Sequence, residues 1–310
     1  MKNKILVLGA NGLVGSTISE LFSKNFSERY EIFPSTRNDT NLFSLKETKE
    51  LIDDLSPQYI INAAAKVGGI YANNKDRTEF ILENLKINMN ILESIIPYPE
   101  INLINLGSSC IYPLNAPNPI SEDCLMSGKL EPTNSPYAMA KLTAIEIGDS
   151  INKQFGHNIV NLMPTNLYGP RDNFSPKNSH VIPGLIYRMS LAKKEKQETF
   201  EVWGTGKPKR EFLHANDLAE AIHFVIENNI NETLLNIGSG SEVTILELSD
   251  LIREVVGYQG EIIFNKSMPD GNNKKLLDSS KITNLGWSPK INLKDGLNST
   301  YSWFLKNIKL

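Results

Sequence analysis

Three glycines near the amino terminus limit the fold of this chain more than any other feature. Gly9, Gly12 and Gly15 follow a short apolar run, Ile5–Leu8, and precede an amphipathic segment. Glycines at this spacing permit a tight turn, a close approach of the backbone to a pyrophosphate and close packing of a helix on a strand. The N-terminus of such a helix binds anions through its N–H groups and dipole. This order of strand, glycines and helix predicts a dinucleotide-binding unit.

Apolar runs of strand length alternate with helical patterns through the first half of the chain. The predicted strands are Ile5–Leu8, Glu31–Pro34, Tyr59–Ala63, Leu103–Leu106 and Val160–Met163. The predicted helices are Leu13–Ser23, Leu45–Leu55, Arg77–Ile96 and Tyr137–Phe155. This alternation predicts an α/β fold with a Rossmann-type, doubly wound parallel sheet.

The pattern changes after Gly169, where loops become richer in Pro, Asn and Gly. The helices predicted beyond this point are Val181–Lys193, Ala215–Glu227, Ile245–Val256 and Leu297–Leu305. We expect residues 1–168, together with roughly 211–239, to form the Rossmann domain that binds the dinucleotide. Residues from roughly 169 to 210 and from 240 to 310 are expected to form a smaller, mixed α/β domain that binds the substrate.

Composition excludes several classes of function. The net charge is −3, and the Lys and Arg residues are scattered, so no nucleic-acid partner is expected. The apolar runs are much shorter than the roughly 18 residues of a membrane-spanning helix, so no membrane association is expected. Two cysteines, Cys110 and Cys124, do not form a disulfide framework, which favours a reduced, cytoplasmic compartment.

The residues after the second predicted strand bear on the choice of dinucleotide. An acidic residue at this place would bind the ribose hydroxyls of NAD. This chain instead has Ser35, Thr36 and Arg37. Arginine can bind a 2′-phosphate through two parallel hydrogen bonds, so the sequence predicts NADPH. Asp39 would weaken that preference, and a solvated loop charge is the alternative interpretation of Arg37.

Tyr137 and Lys141 lie four residues apart in a predicted helix, and Pro136 suits its first turn. Residues at this spacing share one face of a helix, so both can reach one reacting group. The ammonium is expected to favour the phenolate and lower the tyrosine pKa from about 10. Ser108 follows the fourth strand, at the sheet edge where ligands bind. A surface pair is the alternative for Tyr137 and Lys141, but Ser108 makes a carbonyl-reducing site the better interpretation.

These motifs resemble the extended short-chain dehydrogenases/reductases and, among them, the GDP-L-fucose synthase family. The similarity covers nearly the whole chain. The segments that carry it are Ala63–Ile70, Gly107–Pro113, Glu131–Lys141, Met163–Pro170, Asn178–Pro183, Val202–Gly206, Arg210–His214 and Pro269–Gly271. The family's glycine loop often has a basic residue between its first two glycines, where this chain has Ala10 and Asn11.

The resemblance implies an NADPH-dependent enzyme that epimerises a GDP-4-keto-6-deoxy-hexose at C3 and C5 and then reduces C4. By position, Tyr137 would be the acid of the hydride step, supported by Lys141 and Ser108. Cys110 and His180 would be the acid/base pair of the epimerisations. A thiol and an imidazole, with ordinary pKa values of about 8.5 and 6.5, suit proton exchange near neutrality.

The resemblance also implies binding residues and an oligomeric state. The residues expected at the cofactor NADP(H) are Gly9, Asn11, Gly12, Leu13, Val14, Gly15, Arg37, Asn41, Leu42, Ala63, Ala64, Leu106, Gly107, Lys141, Pro164, Thr165, Asn166, Leu167 and His180. Those expected at the GDP-sugar are Ser109, Arg188, Trp203, Arg210 and Asp270, and no metal site is predicted. Relatives commonly form homodimers through helices that correspond to Arg77–Ile96 and Tyr137–Phe155.

Other functions remain open at this stage. The chain could reduce only C4, with or without epimerisation, on a GDP-4-keto-6-deoxy-heptose or a related GDP-sugar. It could also be a non-redox epimerase that retains NAD, although that class would favour an acidic residue near position 37. A binding protein without catalysis is a third class, against which Ser108, Tyr137 and Lys141 argue.

Several of the candidate residues have a simpler structural interpretation. Cys110 could be a core thiol and His180 a helix cap. Trp203 could belong to the core, and Asp270 could be part of a plain turn.

Overall fold

The structure, a computed structural model, describes residues 2–176, 179–268, 270 and 274–310. Asn178, Pro269 and Gly271, which belong to two of the motifs above, lie outside the described residues. Within these ranges, no helix is both long enough and apolar enough to cross a membrane.

Six parallel strands form the main sheet, in the order β2-β1-β3-β4-β5-β9. The strands of the chain are β1 Asn3–Leu8, β2 Tyr30–Ser35, β3 Tyr59–Asn62, β4 Asn102–Leu106, β5 Ile159–Pro164, β6 Asn166–Tyr168, β7 Thr199–Trp203, β8 Lys209–His214, β9 Leu234–Ile237, β10 Glu242–Thr244 and β11 Glu261–Asn265. The helices are α1 Leu13–Asn25, α2 Leu45–Leu55, α3 Ile70–Lys75, α4 Arg77–Ile95, α5 Ser135–Phe155, α6 Val181–Lys194, α7 Ala215–Glu227, α8 Ile245–Val256, α9 Ser280–Asn284 and α10 Leu293–Asn307.

Helices cover both faces of the main sheet, because successive residues of a strand point to opposite sides. Ile5 and Val7 of β1 pack in a core with residues of α1 and α7. Leu6 and Leu8 pack in a second core with residues of α2, α4 and α5. The predicted doubly wound parallel sheet is therefore confirmed.

The later part of the chain forms a separate apolar core from residues of α6, β7, α8 and α10. Two small sheets accompany it, with the orders β10-β8-β6 and β11-β7. The strand β9 and the helix α7 nevertheless belong to the main sheet and its core. Their position supports the predicted return of residues 211–239 to the first domain, although the domain boundaries themselves stay a prediction.

Predicted and observed elements agree best where the hydrophobic pattern is regular. The helices Leu45–Leu55, Ala215–Glu227 and Ile245–Val256 have their predicted bounds. None of the strands β6 to β11 was among the predicted strands. The sequence of β7 contained a signal for a strand, because the apolar residues Phe200 and Val202 alternate with Thr199 and Glu201. In the structure, Phe200 and Val202 are the buried residues of this strand.

A chain of buried asparagine side chains links the middle strands of the main sheet. Asn62 on β3 donates a hydrogen bond to Asn105 on β4 at 2.9 Å, and Asn105 donates to Asn161 on β5 at 2.9 Å. Asn62 also donates to Asn88 of α4 at 3.1 Å, and Asn161 donates to the carbonyl of Thr233 at 3.0 Å. Buried amides are costly without partners, so these bonds favour one register of the three strands.

We expect Asn105→Ala to lower the free energy of unfolding by about 2–3 kcal/mol, because it removes one hydrogen bond of the Asn62 amide and leaves the buried Oδ1 of Asn161 without its donor. Urea unfolding followed by circular dichroism measures the effect. The matched control is Asn25→Ala, at an exposed position, which should change the value by less than about 0.5 kcal/mol. Equal unfolding midpoints for the two variants would contradict a structural role for the amide chain.

Candidate active site

The turn between β1 and α1 has the geometry that an anion-binding loop requires. Gly9 has a φ of +81°, in the left-handed region that favours glycine. A Cβ at Gly9 would lie 2.7 Å from the backbone of Ala64, and one at Gly15 would lie 2.3 Å from the carbonyl oxygen of Gly9. Gly12 is the N-cap of α1 and has no side chain that could form a capping hydrogen bond. The first N–H groups of α1, from Leu13 onward, therefore face outward without an intrahelical partner.

This turn lies where the strand order reverses. Within the order β2-β1-β3, the chain passes from β1 to β2 on one side and then to β3 on the other. In open parallel sheets, ligands bind at such a switch point, outside the carboxyl ends of the strands. Ala63 and Ala64 follow β3 at this edge, and the N–H of Ala63 donates to Leu8 at 3.0 Å. The glycine turn and the alanines thus fit the pyrophosphate of a dinucleotide.

Arg37 lies two residues beyond β2, at the same edge of the sheet, and its side chain is exposed. The carboxylate of Asp39 accepts hydrogen bonds from the N–H and hydroxyl of Thr36, at 2.8 and 2.7 Å. These bonds hold the pKa of Asp39 below its usual value. Asn41 and Leu42 follow in the loop before α2, where the side chain of Asn41 accepts from a neighbouring N–H and Leu42 packs partly in the core.

Ser108 and Tyr137 meet at the carboxyl end of β4. Ser108 caps a single turn of 3-10 helix, Ser109–Ile111, by accepting the N–H of Cys110 at 3.2 Å. Tyr137 lies in the first turn of α5, close enough to Ser108 for that side chain to act on the pKa of the phenol. The ring of Tyr137 also packs edge-on against Phe80 at 6.4 Å between centroids. The sequence had given no reason to single out Phe80.

The expected lowering of the Tyr137 pKa is wrong. Burial raises this pKa above its ordinary value, and the charge of Cys110 raises it further. The side chain of Ser108 acts in the opposite direction without reversing the shift. The ammonium of Lys141 is 5.9 Å from the tyrosine ring centroid. A spacing of four residues fixes which side chains are neighbours but not how much water each one loses.

Lys141 is 2% exposed, and its ammonium donates to the carbonyl of Leu106 at 2.7 Å. Burial disfavours the charged form and lowers the pKa of Lys141 to about 8. The side chain still carries a proton at neutral pH. It therefore presents a positive charge beside the end of β4, and it ties α5 to that strand.

His180 is the N-cap of α6, but its side chain makes no capping hydrogen bond. The simple alternative, in which His180 caps the helix, is therefore not supported. The ring keeps a solvent-exposed surface, yet the protein around it lowers its pKa. His214, by contrast, is a structural residue, because its Nδ1 accepts the N–H of Asn216 at 3.2 Å and caps α7.

The residues expected to line the nicotinamide lie at the end of β5 and just after it. Pro164 is the last residue of β5, and Leu167 packs against the core of the main sheet. Thr165 and Asn166 donate to the carbonyl of Glu211, at 3.2 and 2.8 Å. On the neighbouring strand, Gly107 donates its N–H to Leu162 at 2.9 Å. The ends of β1, β4 and β5 thus contribute to one edge of the sheet.

Glu211 connects this edge to the later part of the chain, which sequence reasoning did not foresee. Its side chain is fully buried and accepts hydrogen bonds from the N–H groups of Gly240 and Leu277, at 2.8 and 3.0 Å. Burial raises the pKa of Glu211, and these hydrogen bonds act against that rise.

Four of the five residues expected at the substrate, Arg188, Trp203, Arg210 and Asp270, lie in the later part of the chain. Arg188 of α6 donates to the carbonyl of Glu201 at 3.3 Å, and its guanidinium lies 5.3 Å from the ring centroid of Phe200. Trp203 is 62% exposed, so the interpretation of this residue as part of the core is wrong. Ser109 is buried in the turn after β4.

The carboxylate of Asp270 is held by the segment that follows β7. This carboxylate accepts the N–H and hydroxyl of Thr205, at 2.8 and 2.7 Å. These bonds, and more weakly the charge of Arg210, hold the pKa of Asp270 below its usual range. Asp270, Arg210 and the exposed Trp203 therefore belong to one surface region.

Lys275 makes a contact that the sequence did not predict. Its ammonium lies 3.7 Å from Sγ of Cys110. Both residues line a cavity of about 30 Å³, together with Tyr112 and Asn134.

Comparisons with known proteins identify the class. The model of the NAD-dependent epimerase/dehydratase family matches residues 5–238. The chain belongs to this family.

Its relatives are more specific, and they confirm the resemblance seen in the motifs. The chain is 46% identical to the probable GDP-L-fucose synthase 1 of Oryza sativa subsp. japonica, over 98% of this chain and 93% of that protein. It is 42% identical to the GDP-L-fucose synthase of Escherichia coli K12, over 99% and 98%. A GDP-D-glycero-L-gluco-heptose synthase from Campylobacter jejuni, crystallised in the presence of NADPH, is similar with a TM-score of 0.90 and 30% identity, over 98% of each chain.

Proposed function

We propose that the chain is an NADPH-dependent 3,5-epimerase and 4-reductase that converts a GDP-4-keto-6-deoxy-hexose to a GDP-deoxy sugar such as GDP-L-fucose. The observation that carries this proposal is the meeting of Ser108, Tyr137 and Cys110 at the end of β4, with Lys141 beside them. The names of the relatives support a GDP-linked sugar, GDP-L-fucose, as the product.

The cofactor would lie along the carboxyl edge of the main sheet. The glycine turn and the first N–H groups of α1 would bind its pyrophosphate, and Arg37 would bind a 2′-phosphate. Ala63, Thr165 and Asn166 would border its other half. NADPH supplies the hydride for C4 when it is bound.

Epimerisation requires groups that exchange protons beside a ketone. The ketone makes the hydrogens on its flanking carbons acidic, because the enolate places charge on oxygen. Removal of a proton from one face and its return to the other face inverts the centre. Cys110 and His180 would carry these protons, while the hydroxyls of Ser108 and Tyr137 would stabilise the enolate oxygen.

The raised pKa of Tyr137 suits the reduction step. A phenol that stays protonated at neutral pH can donate its proton to the C4 oxygen as that oxygen becomes an alkoxide. Ser108 would orient the phenol, and the charge of Lys141 would stabilise the tyrosinate that remains. The tyrosine would therefore act as an acid from its ordinary neutral form.

The nucleotide-sugar would be bound by the later elements. Arg188 and Arg210 would compensate the diphosphate charge with bidentate hydrogen bonds. Trp203 offers an exposed ring on which a base can stack. Asp270 would contribute by holding the turn at Thr205.

C4 reduction of a GDP-4-keto-6-deoxy-heptose, with or without epimerisation, is the second candidate. The similarity to the C. jejuni enzyme supports it, because that protein has the same fold and is named a GDP-heptose synthase. A non-redox epimerase that retains NAD is less well supported, because Arg37 lies where an acidic residue would be expected.

Incubation of the enzyme with a GDP-4-keto-6-deoxy-hexose in D₂O, without NADPH, tests the main proposal. We expect NMR to show deuterium at C3 and C5, because proton exchange precedes reduction. When NADPH is then added, one equivalent should be consumed for each ketone that is reduced. If no deuterium enters but an already epimerised ketone is still reduced, the chain is a C4-reductase.

Two variants separate the two half-reactions. Tyr137→Phe removes the acid of the hydride step and should lower the reduction rate roughly 10²–10⁴-fold. Cys110→Ser should abolish exchange but leave reduction of an already epimerised ketone measurable. Near-full reduction by Tyr137→Phe would remove Tyr137 from the mechanism.

The reduction rate should fall as the pH rises through about 8, where Lys141 loses its proton. Tyr137 has a raised pKa and stays protonated there, so the fall reports the lysine. In Lys141→Arg the charge persists, and the fall should move to higher pH even if the rate at neutral pH is lower. Steady-state rates between pH 6 and pH 10 measure this, and an unchanged profile in the variant would exclude Lys141 as its source.

We also propose that the chain forms a homodimer through α4 and α5. Leu82 and Met89 of α4 and Met139 of α5 are 49%, 47% and 47% exposed. Burial of these side chains in a helical interface would be favourable. Leu82→Glu should convert a dimer to a monomer in analytical ultracentrifugation, whereas Leu246→Glu, at another exposed leucine, should not. A wild-type monomer would contradict the proposal.

A reducing, cytoplasmic compartment would suit this chemistry. Cys110 and Cys124 are both free thiols, and a sulfur that carries protons must stay reduced. Cell fractionation checks this location, and recovery of the enzyme outside the cytoplasm would refute it.

A further inference from the structure

The contact between Lys275 and Cys110 joins two parts of the chain that are 165 residues apart in sequence. The ammonium of Lys275 is 3.7 Å from Sγ, at hydrogen-bond distance for sulfur. Cys110 is also close enough to Tyr137 that its charge raises the pKa of the phenol. Lys275 therefore reaches the one thiol that faces the candidate site.

The backbone after Lys275 is held from three directions, so the contact is built into the fold. The N–H of Leu276 donates to the side chain of Asn118 at 2.9 Å, and the N–H of Leu277 donates to the buried Glu211 at 3.0 Å. Ile120 and this segment exchange further hydrogen bonds, from Ile120 to Leu276 and from Asp278 to Ile120, each at 2.8 Å. These bonds fix the segment beside the loop that follows Cys110.

The nearby carboxylates are engaged by other groups. Glu131 lines the same cavity, but it accepts hydrogen bonds from Thr133 and the N–H of Asn134. Lys274, the neighbouring residue, pairs with Glu242 at 3.4 Å. Across the described part of the chain, Lys275 forms no ion pair with a carboxylate. Its charge is thus directed at the thiol.

We propose that Lys275 is a positioning residue whose ammonium stabilises the thiolate of Cys110, which rests on the proposed epimerisation. When Cys110 accepts a proton, the C–H bond beside the ketone breaks and an S–H bond forms. The electron pair of the broken bond forms the C=C bond of the enolate, and the π pair of the carbonyl moves onto its oxygen. The ammonium 3.7 Å from Sγ stabilises negative charge on the sulfur, and the thiolate is the form that can accept this proton.

Alkylation of Cys110 by iodoacetamide tests the contact without substrate. The thiolate is the reacting form, so the rate at pH 7.5 reports how well it is stabilised. Lys275→Met should slow alkylation of Cys110 about tenfold, and Lys275→Arg should restore most of the rate. Peptide mass spectrometry reads Cys110 and Cys124 separately, and Cys124 should keep its wild-type rate in every variant.

Lys274→Met is the matched control, because it removes the same charge from the adjacent residue, and it should not change the alkylation of Cys110. In the proton-exchange assay, Lys275→Met should lower deuterium incorporation by a similar factor to alkylation. If Lys275→Met is alkylated at the wild-type rate, the proposal is overturned. It is also overturned if Lys275→Met raises only the KM for the sugar in the exchange assay and leaves the maximal exchange rate unchanged. Absence of deuterium exchange in the wild type would instead refute the epimerase function, with the alkylation result unaffected.

Discussion

Hydrogen bonds between buried asparagine amides set the register of the strands on which the site is built. Asn62, Asn105 and Asn161 occupy aligned positions on three neighbouring strands. A slip of one residue would turn each amide toward the opposite apolar face, at the cost of an unpaired buried dipole. With the register fixed, β4 and β5 end side by side. The turn with Ser108 and the residues from Thr165 onward then share one edge of the sheet.

A second polar constraint connects that edge to the later elements. Glu211 binds the backbone near Gly240 and Leu277 through its carboxylate, while its carbonyl accepts from Thr165 and Asn166. A single buried residue thus fixes three loops that are distant in sequence. The cores of the main sheet and the later core need this alignment, because hydrophobic packing alone is not directional.

Much of the fold was predictable from sequence, and the reasons are local. The glycine turn and the apolar runs from Ile5 onward repeat a pattern whose geometry is set by neighbouring residues. The short strands after Gly169 were missed, because each pairs with a strand that is distant in sequence. The Ser108, Tyr137 and Lys141 group could be proposed from spacing and resemblance, but the pKa of Tyr137 depends on burial. The contact of Lys275 with Cys110 depends on tertiary folding, and no local pattern marks it.

The candidate residues lie on two different groups of elements. Tyr137 and Lys141 lie on one helix beside the main sheet, whereas Arg188 and Trp203 lie on elements of the later core. We therefore propose that substitutions around that core would change which sugar is accepted and leave Tyr137 and Lys141 in place. Lys275 is an exception, because it comes from the later segment and touches the thiol of the earlier one. A change in the later segment at Lys275 would therefore alter the environment of Cys110 as well as the surface around the sugar.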